Sequence, residues 1–200
     1  VNYFLDFGTH YFESNGCPNG LLAHERNGLF GSEQPYDWIV KTFEGSKQIY
    51  EINKLHTPRI AKKFKGFEDY NAAVLDYDGN VSFRYSVTNQ AGSNCLTHDF
   101  TEVSNYKVNE VPCVDAKRIV QEVIKNDPEA RIIIKCDIEG SEFKVLPRIL
   151  EIENVEKYII EIFIEWHERF WEKDPNYKKI LESKKSILNS MKTIITHDWE

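Results

Sequence analysis

Two acids one residue apart, Asp137 and Glu139, stand in the stretch Ile132-Ile133-Ile134-Lys135-Cys136-Asp137-Ile138-Glu139-Gly140-Ser141-Glu142-Phe143. The stretch begins as a short apolar run, the pattern of a strand buried on both faces. It breaks at Gly140 and continues from Glu142 with apolar residues at helical spacing. Both carboxylates therefore stand where a buried strand gives way to a helix, and in open α/β sheets ligands bind at the carboxyl ends of the strands. A carboxylate there is costly unless it has a partner. A metal ion or a catalytic proton would be one such partner. Service as N-cap and first-turn acid of the following helix would explain the same residues, and this stretch by itself leaves the two readings open.

Two other strand ends carry acids. Tyr3–Phe7 reads as a first buried strand containing Asp6 and closed by Gly8, where the missing side chain suits close approach of a ligand to the backbone. Trp38–Phe43 reads as a second, ended by Glu44-Gly45. An acid there is where nucleoside-binding Rossmann folds hold ribose hydroxyls, and equally where a surface Glu sits at a turn. The apolar run from Tyr158 to Ile164 leaves through Glu165-Trp166-His167. Asp6-x-Gly8, Glu44 and Asp137-x-Glu139 would converge along one sheet edge. The first turn lacks Gly-x-Gly-x-x-Gly, which disfavours a nicotinamide dinucleotide. S-adenosylmethionine carries no pyrophosphate and needs no such loop; its ammonium and ribose hydroxyls favour nearby carboxylates.

The elements that must position these ends alternate between strand and helix. Ser46 caps a helix with apolar Ile49, Ile52 and Leu55. Asp115 caps another with Ile119, Val120, Val123 and Ile124 on one face, stopped by Asp127-Pro128. Short helical patterns also cover Leu21–Arg26 and Tyr177–Met191. Further strands are expected at Asn71–Leu75, Val81–Val87, Val111–Val114 and Thr193–Thr196, with Asp78-Gly79 as a hairpin signal and Gln90–Asn94 as a loop. Strands alternating with helices mean a parallel or mostly parallel sheet. The expected class is α/β: a single Rossmann-like domain over residues 1–200, with a mostly parallel central sheet flanked by helices.

Composition narrows the partners. Two hundred residues suit one full core, and 13% aromatics argue against disorder. A net charge of −7 argues against a nucleic-acid surface; the densest basic cluster, Arg59, Lys62, Lys63 and Lys65, reads as solvated surface. The four cysteines lie far apart with no Cys-x-x-Cys pair, which weakens a zinc or redox-motif reading, and Cys136 reads as a reduced core thiol. No apolar run is long enough to span a membrane and no signal-peptide pattern opens the chain, so a cytoplasmic location is expected. Because Val1 leads almost at once into a strand, the domain is expected to be cut from a longer chain.

Taken together, the motifs resemble the FkbM family of methyltransferases. The residues carrying the resemblance are Leu5-Asp6-Phe7-Gly8, Phe43-Glu44, Asn71-Ala72-Ala73, Lys135-Cys136-Asp137-Ile138-Glu139-Gly140-Ser141-Glu142 and Glu165-Trp166-His167, in that order. The Lys135 to Glu142 block is the most specific. The chain departs from the family pattern at Gly8-Thr9-His10, where Gly-Ala-Asn is usual, and at Gly45-Ser46, where Asn-Pro is common. The resemblance implies S-adenosylmethionine-dependent O-methylation, often of sugar hydroxyls, beside other glycan-processing domains in the same chain. It assigns Asp6, Gly8, His10, Glu44, Ala73 and Asp137 to the cofactor. A lipid, polyketide or peptide acceptor, or a non-catalytic nucleoside-binding domain, are the alternatives.

A hydroxyl is a poor nucleophile until a base removes its proton or a metal lowers its pKa. Glu139 is the candidate base. Residues alternate faces along a strand, so Lys135 and Asp137 share one side of theirs, and Glu161, Phe163, Glu165 and His167 share one side of the next. If those strands are parallel neighbours, Asp137 and Glu165 end together, and Mg²⁺ or Mn²⁺ would relieve their repulsion. His167 is a third ligand or an alternative base, or else a surface His beside Glu168. Trp166 and Trp171 could stack on a sugar face or pack in the core. Lys135 and Glu161 are each a lone charge in an apolar strand, so a buried ion pair between them is expected.

Overall fold

A computed structural model describes residues 1–12, 20–86, 94–95 and 106–199. Among the described residues, ten strands and five helices follow in chain order: β1 (Asn2–Phe7), α1 (Leu21–Arg26), β2 (Tyr36–Phe43), α2 (Lys47–Ala61), β3 (Phe64–Tyr70), β4 (Ala73–Leu75), β5 (Gly79–Ser86), β6 (Asn94–Cys95), β7 (Tyr106–Asp115), α3 (Ala116–Asn126), β8 (Arg131–Cys136), α4 (Glu142–Leu150), β9 (Ile159–Glu165), α5 (Tyr177–Ser190) and β10 (Ile195–Trp199). Short 3-10 turns, Val155–Lys157 and Glu168–Trp171, flank β9.

Six strands form one sheet in the order β10-β9-β8-β1-β2-β3, every neighbouring pair parallel. The expected α/β class with a parallel central sheet is therefore what the chain adopts. β1 and β8 lie in the middle, which is why both read as unbroken apolar runs. Tyr3, Leu5 and Phe7 face one core with Ile132 and Ile134, roofed by Ile119, Val120 and Val123 of α3 and by Val145, Leu146 and Ile149 of α4. Phe4 and Ile133 face the other core with Leu21, Phe30, Trp38 and Ile60. Ser46 and Asp115 cap α2 and α3 as their positions suggest, accepting from the amides of Ile49 and Lys117. Cys136 is a buried free thiol. Among the described residues no helix is long and apolar enough to cross a membrane.

Several expectations are corrected. A strand at Phe64–Tyr70 was not foreseen, because it is an edge strand in which Lys65, Glu68 and Asp69 interrupt its apolar residues. Asn71–Leu75 does not follow β2 into the main sheet; its strand, β4, belongs to a second sheet of order β4-β7-β5-β6. Asp78-Gly79 is no hairpin turn, since β5 pairs antiparallel with β7 and β4 pairs parallel with β7. The last strand begins at Ile195 rather than Thr193. In α2 the inward residues are Ile49, Asn53 and Ile60, at i, i+4 and i+11, while Leu55 is 78% exposed. Of the loop expected over 90–94, only Asn94 is described, and it opens β6.

The expected Lys135–Glu161 pair does not form, although β8 and β9 are parallel neighbours. Register sets Glu161 beside Ile133 and Phe163 beside Lys135, one side-chain repeat too early. Glu161 Oε1 pairs outward with His197 of β10 at 2.5 Å. Lys135 pairs instead along its own strand and with β1: its Nζ lies 3.5 Å from Asp6 Oδ1 and 3.3 Å from Asp137 Oδ2, and donates to the carbonyl of Gly8. Removing one member of a buried charge set leaves the others uncompensated. Lys135→Met should lower unfolding free energy by about 3–5 kcal/mol, and Asp6→Asn in the same chain should recover part of it; urea denaturation of the three proteins checks both.

Candidate active site

The carboxyl ends of β1, β2 and β8 are stitched together by main-chain bonds. Gly8 N and Thr9 N both donate to Phe43 O, at 3.0 and 3.1 Å, and Asp137 N donates to Phe7 O at 3.1 Å. Buried Thr9 adds its hydroxyl, which accepts from Phe43 N at 3.1 Å. Gly8 turns with φ +74°, and a Cβ there would lie 1.7 Å from Asp137 O. The glycine is thus required twice, by its left-handed backbone and by the β8 backbone pressed against it. His10 is left-handed as well, at φ 55°. It is clamped at both ends: its N–H donates to Glu44 Oε2 at 2.8 Å and its carbonyl accepts from Asn53 Nδ2 at 2.6 Å. The other Glu44 oxygen accepts from Ser46 N at 2.7 Å.

These ends enclose a cleft of about 530 Å³ including its open mouth, bounded by Gly8, His10, Glu44, Ala73, Asp137 and Glu139. Five of the six residues expected at the cofactor thus meet around one cavity, which the candidate base Glu139 also lines. Asp6 does not border it: its carboxylate is fully buried behind the cleft, against Lys135. Phe83 of the second sheet forms a further wall, so close to Gly45 that a Cβ there would lie 2.6 Å from its ring.

At the β8–β9 end, His167 is 1% exposed and lies under Phe170, ring centroids 5.1 Å apart. Its main-chain N–H donates to Glu142 Oε1 at 2.7 Å, and its Nδ1 lies 3.1 Å from the same oxygen. Its buried Nε2 makes no hydrogen bond among the described residues. It stands 3.4 Å from Glu139 Oε2, 3.5 Å from Glu165 Oε1 and 3.9 Å from Asp137 Oδ1. Asp137, Glu139 and His167 each offer a ligand atom within 4.8 Å of the others. Glu165 stays outside that closest group and also meets Arg169, at 3.3 Å. Glu139, like His10, holds a left-handed backbone, φ 52°, conformations that concentrate at functional sites. His167 is therefore no surface residue. Trp166 and Trp171 are buried and pack on Phe143, so neither offers a face to a sugar.

Burial and charge set the proton affinities. Loss of solvent raises Asp6 to about 6 against the pull of Lys135. It raises Glu44 to about 7 although two amides favour its ionised form, and Glu139 to about 7 although His167 opposes the rise. Burial also tends to raise Asp137, but the nearby Lys135 and His167 outweigh it and hold the carboxyl below its usual value. Burial disfavours the charged imidazole of His167, yet the bond to Glu142 and the surrounding carboxylates raise it to about 9. In its protonated form the ring has no free nitrogen to serve as a base.

Sequence patterns did not single out Asn53 or Phe83. A lone Asn at an inward position of an amphipathic helix was the available signal for the first. Nothing local marks the second, which comes from another sheet. A family model described as the Methyltransferase FkbM domain matches residues 32–188. β1, with Asp6, lies before the matched region. No curated protein and no solved structure gives a significant match.

Four buried site groups hold protons more tightly in the fold than in the unfolded chain: Asp6, Glu44, Glu139 and His167. Each contributes stability that is complete below its unfolded value and is lost as pH rises through its folded value. The losses span roughly pH 4 to 6 for Asp6, 4.5 to 7 for the two Glu and 6.5 to 9 for His167. Asp137 is shifted the other way and titrates below this window. The ligand-free protein should therefore melt at a higher temperature at pH 5 than at pH 9, and Glu139→Gln should flatten the part of the slope below pH 7; calorimetric melts across that range check it.

Proposed function

The chain belongs to the FkbM methyltransferase family, and from that premise we propose that it transfers a methyl group from S-adenosylmethionine to a hydroxyl oxygen of a sugar in a glycan or glycoside. The observation that carries this reading is the cleft itself, lined by both Glu44 and Glu139. The residues fit the cofactor's chemistry. Each oxygen of Glu44 accepts one amide and keeps a lone pair free, so the carboxylate can take the hydroxyls of a ribose diol. Gly8 presents bare backbone, and the ionised Asp137 suits an ammonium.

When bound, S-adenosylmethionine supplies an electrophilic methyl group. The chain's own part is to orient the acceptor and remove its proton. Glu139 can take that proton on its carboxylate as the new carbon–oxygen bond forms. Its proton affinity near neutrality suits such a transfer. The imidazolium of His167, 3.4 Å away, steadies the carboxylate beforehand. We assign the acceptor to carbohydrates, in line with the resemblance. Lipid, polyketide and peptide acceptors become outcomes of the acceptor panel.

A second reading adds a divalent cation, Mg²⁺ or Mn²⁺. Its support is the buried Nε2 of His167, which makes no hydrogen bond among the described residues and faces three carboxylates. Asp137, Glu139 and His167 are the residues that would hold the ion, with the imidazole neutral and Glu165 alongside. Bound there, the ion would lower the pKa of an acceptor hydroxyl.

Two measurements test these readings. Glu44→Ala should weaken S-adenosylmethionine binding by about tenfold or more, since a hydrogen bond to a charged group contributes roughly 1.5–3 kcal/mol; unchanged calorimetric affinity would remove Glu44 from the site. Release of S-adenosylhomocysteine against a panel of deoxy-sugar glycosides should be detectable with the parent protein and should fall at least a hundredfold in Glu139→Gln. EDTA decides between the readings. Turnover that EDTA abolishes and Mn²⁺ restores supports the cation, and turnover in exhaustively chelated protein leaves the proton transfer to Glu139 alone.

A further inference from the structure

Glu142 is the one acid of the Lys135–Glu142 block that borders neither the cleft nor the carboxylate group around Nε2. It is fully buried in the first turn of α4. A first-turn acid normally sits at the surface and favours the helix dipole. Its oxygens do something more specific. Oε2 accepts from Gly140 N at 2.9 Å. Oε1 accepts from His167 N at 2.7 Å and lies 3.1 Å from His167 Nδ1. The donors belong to two different loops, one leaving β8 and one leaving β9.

We infer that Glu142 is a positioning residue that sets both working groups of the site: Glu139 through the Gly140 amide, and His167 through its ring and its main chain. Gly140 follows Glu139, whose backbone is left-handed, so the bond to Gly140 N holds the turn in which Glu139 faces His167. The contact at Nδ1 keeps a proton on that nitrogen and leaves Nε2 as the atom presented to Asp137, Glu139 and Glu165. A carboxylate behind a histidine fixes ring orientation in this way in both metal and acid–base sites. The inference holds for either, and rests on the methyl-transfer reading only for its effect on turnover.

Glu142→Gln isolates the role, because an amide keeps the shape but accepts at only one of its two terminal atoms. It cannot serve Gly140 N and His167 together. In the parent protein, nitrogen-15 NMR of the histidine rings should show a downfield proton on His167 Nδ1 protected from exchange at pH 7. In Glu142→Gln that signal should move or vanish. Affinity for S-adenosylmethionine should stay within about twofold, and turnover on the glycoside panel should fall by about 10–100-fold. A parent His167 whose Nδ1 carries no proton, or exchanges it freely, overturns the inference even if the variant fails to fold. Unchanged turnover in a folded Glu142→Gln overturns it as well. If the parent releases no S-adenosylhomocysteine with any glycoside, the methyl-transfer reading falls, and the Nδ1 signal still decides what Glu142 does.

Discussion

One ammonium group balances the active edge of the sheet. Lys135 lies in a central strand with no exposure, between Asp6 of β1 and Asp137 at the end of its own strand. Three charges in one low-dielectric region are tolerable only together, because a buried ion left without its partner is strongly destabilising. The same cation acts unequally on its two acids. Asp6, buried behind the cleft, is raised despite it, while Asp137, which His167 also faces, is held ionised. The nitrogen further binds the carbonyl of Gly8. The turn that opens the cleft and the acid that borders it therefore hang from one side chain.

From this anchor outward, the site is built from backbone under constraint. His10 and Glu139 take left-handed conformations unusual for their residue types, and each is held by buried polar partners. His10 sits between Glu44 and Asn53; Glu139 precedes an amide bonded to Glu142. The loops that carry His10 and Glu139 are thus held by hydrogen bonds to their main chain. This leaves the functional atoms with unspent hydrogen-bonding capacity toward a ligand.

Much of this was legible from residue types alone, because buried parallel strands leave a strong trace. β1, β2, β8 and β9 are apolar runs ended by an acid or glycine, and those ends meet at one edge. What was illegible followed from position in the sheet. β3 is an edge strand with few apolar residues. The second sheet pairs β4 and β5 with β7, across a span no local pattern marks. The partner of Lys135 was misjudged because alternation gives the face of a residue and not its level along the strand. For α2, three apolar residues at i, i+3 and i+6 suggested the wrong stripe. The inward residues are Ile49, Asn53 and Ile60, and no apolar pattern marks the buried Asn.

β1 precedes both of its partners in the sequence and yet lies inside the sheet, with β2 on one side and β8 on the other. Its pairing with β2 needs only the segment that ends at Phe43, whereas Asn2 waits for Arg131. During synthesis, Phe4, Leu5 and Phe7 must therefore stand at an open edge until β8 has been made. Long-range parallel pairing of this kind is slow and leaves strand edges exposed to other chains. The arrangement that brings Asp6 and Gly8 beside Lys135 thus leaves the parallel pair of β1 and β2 with an unpaired edge until β8 arrives.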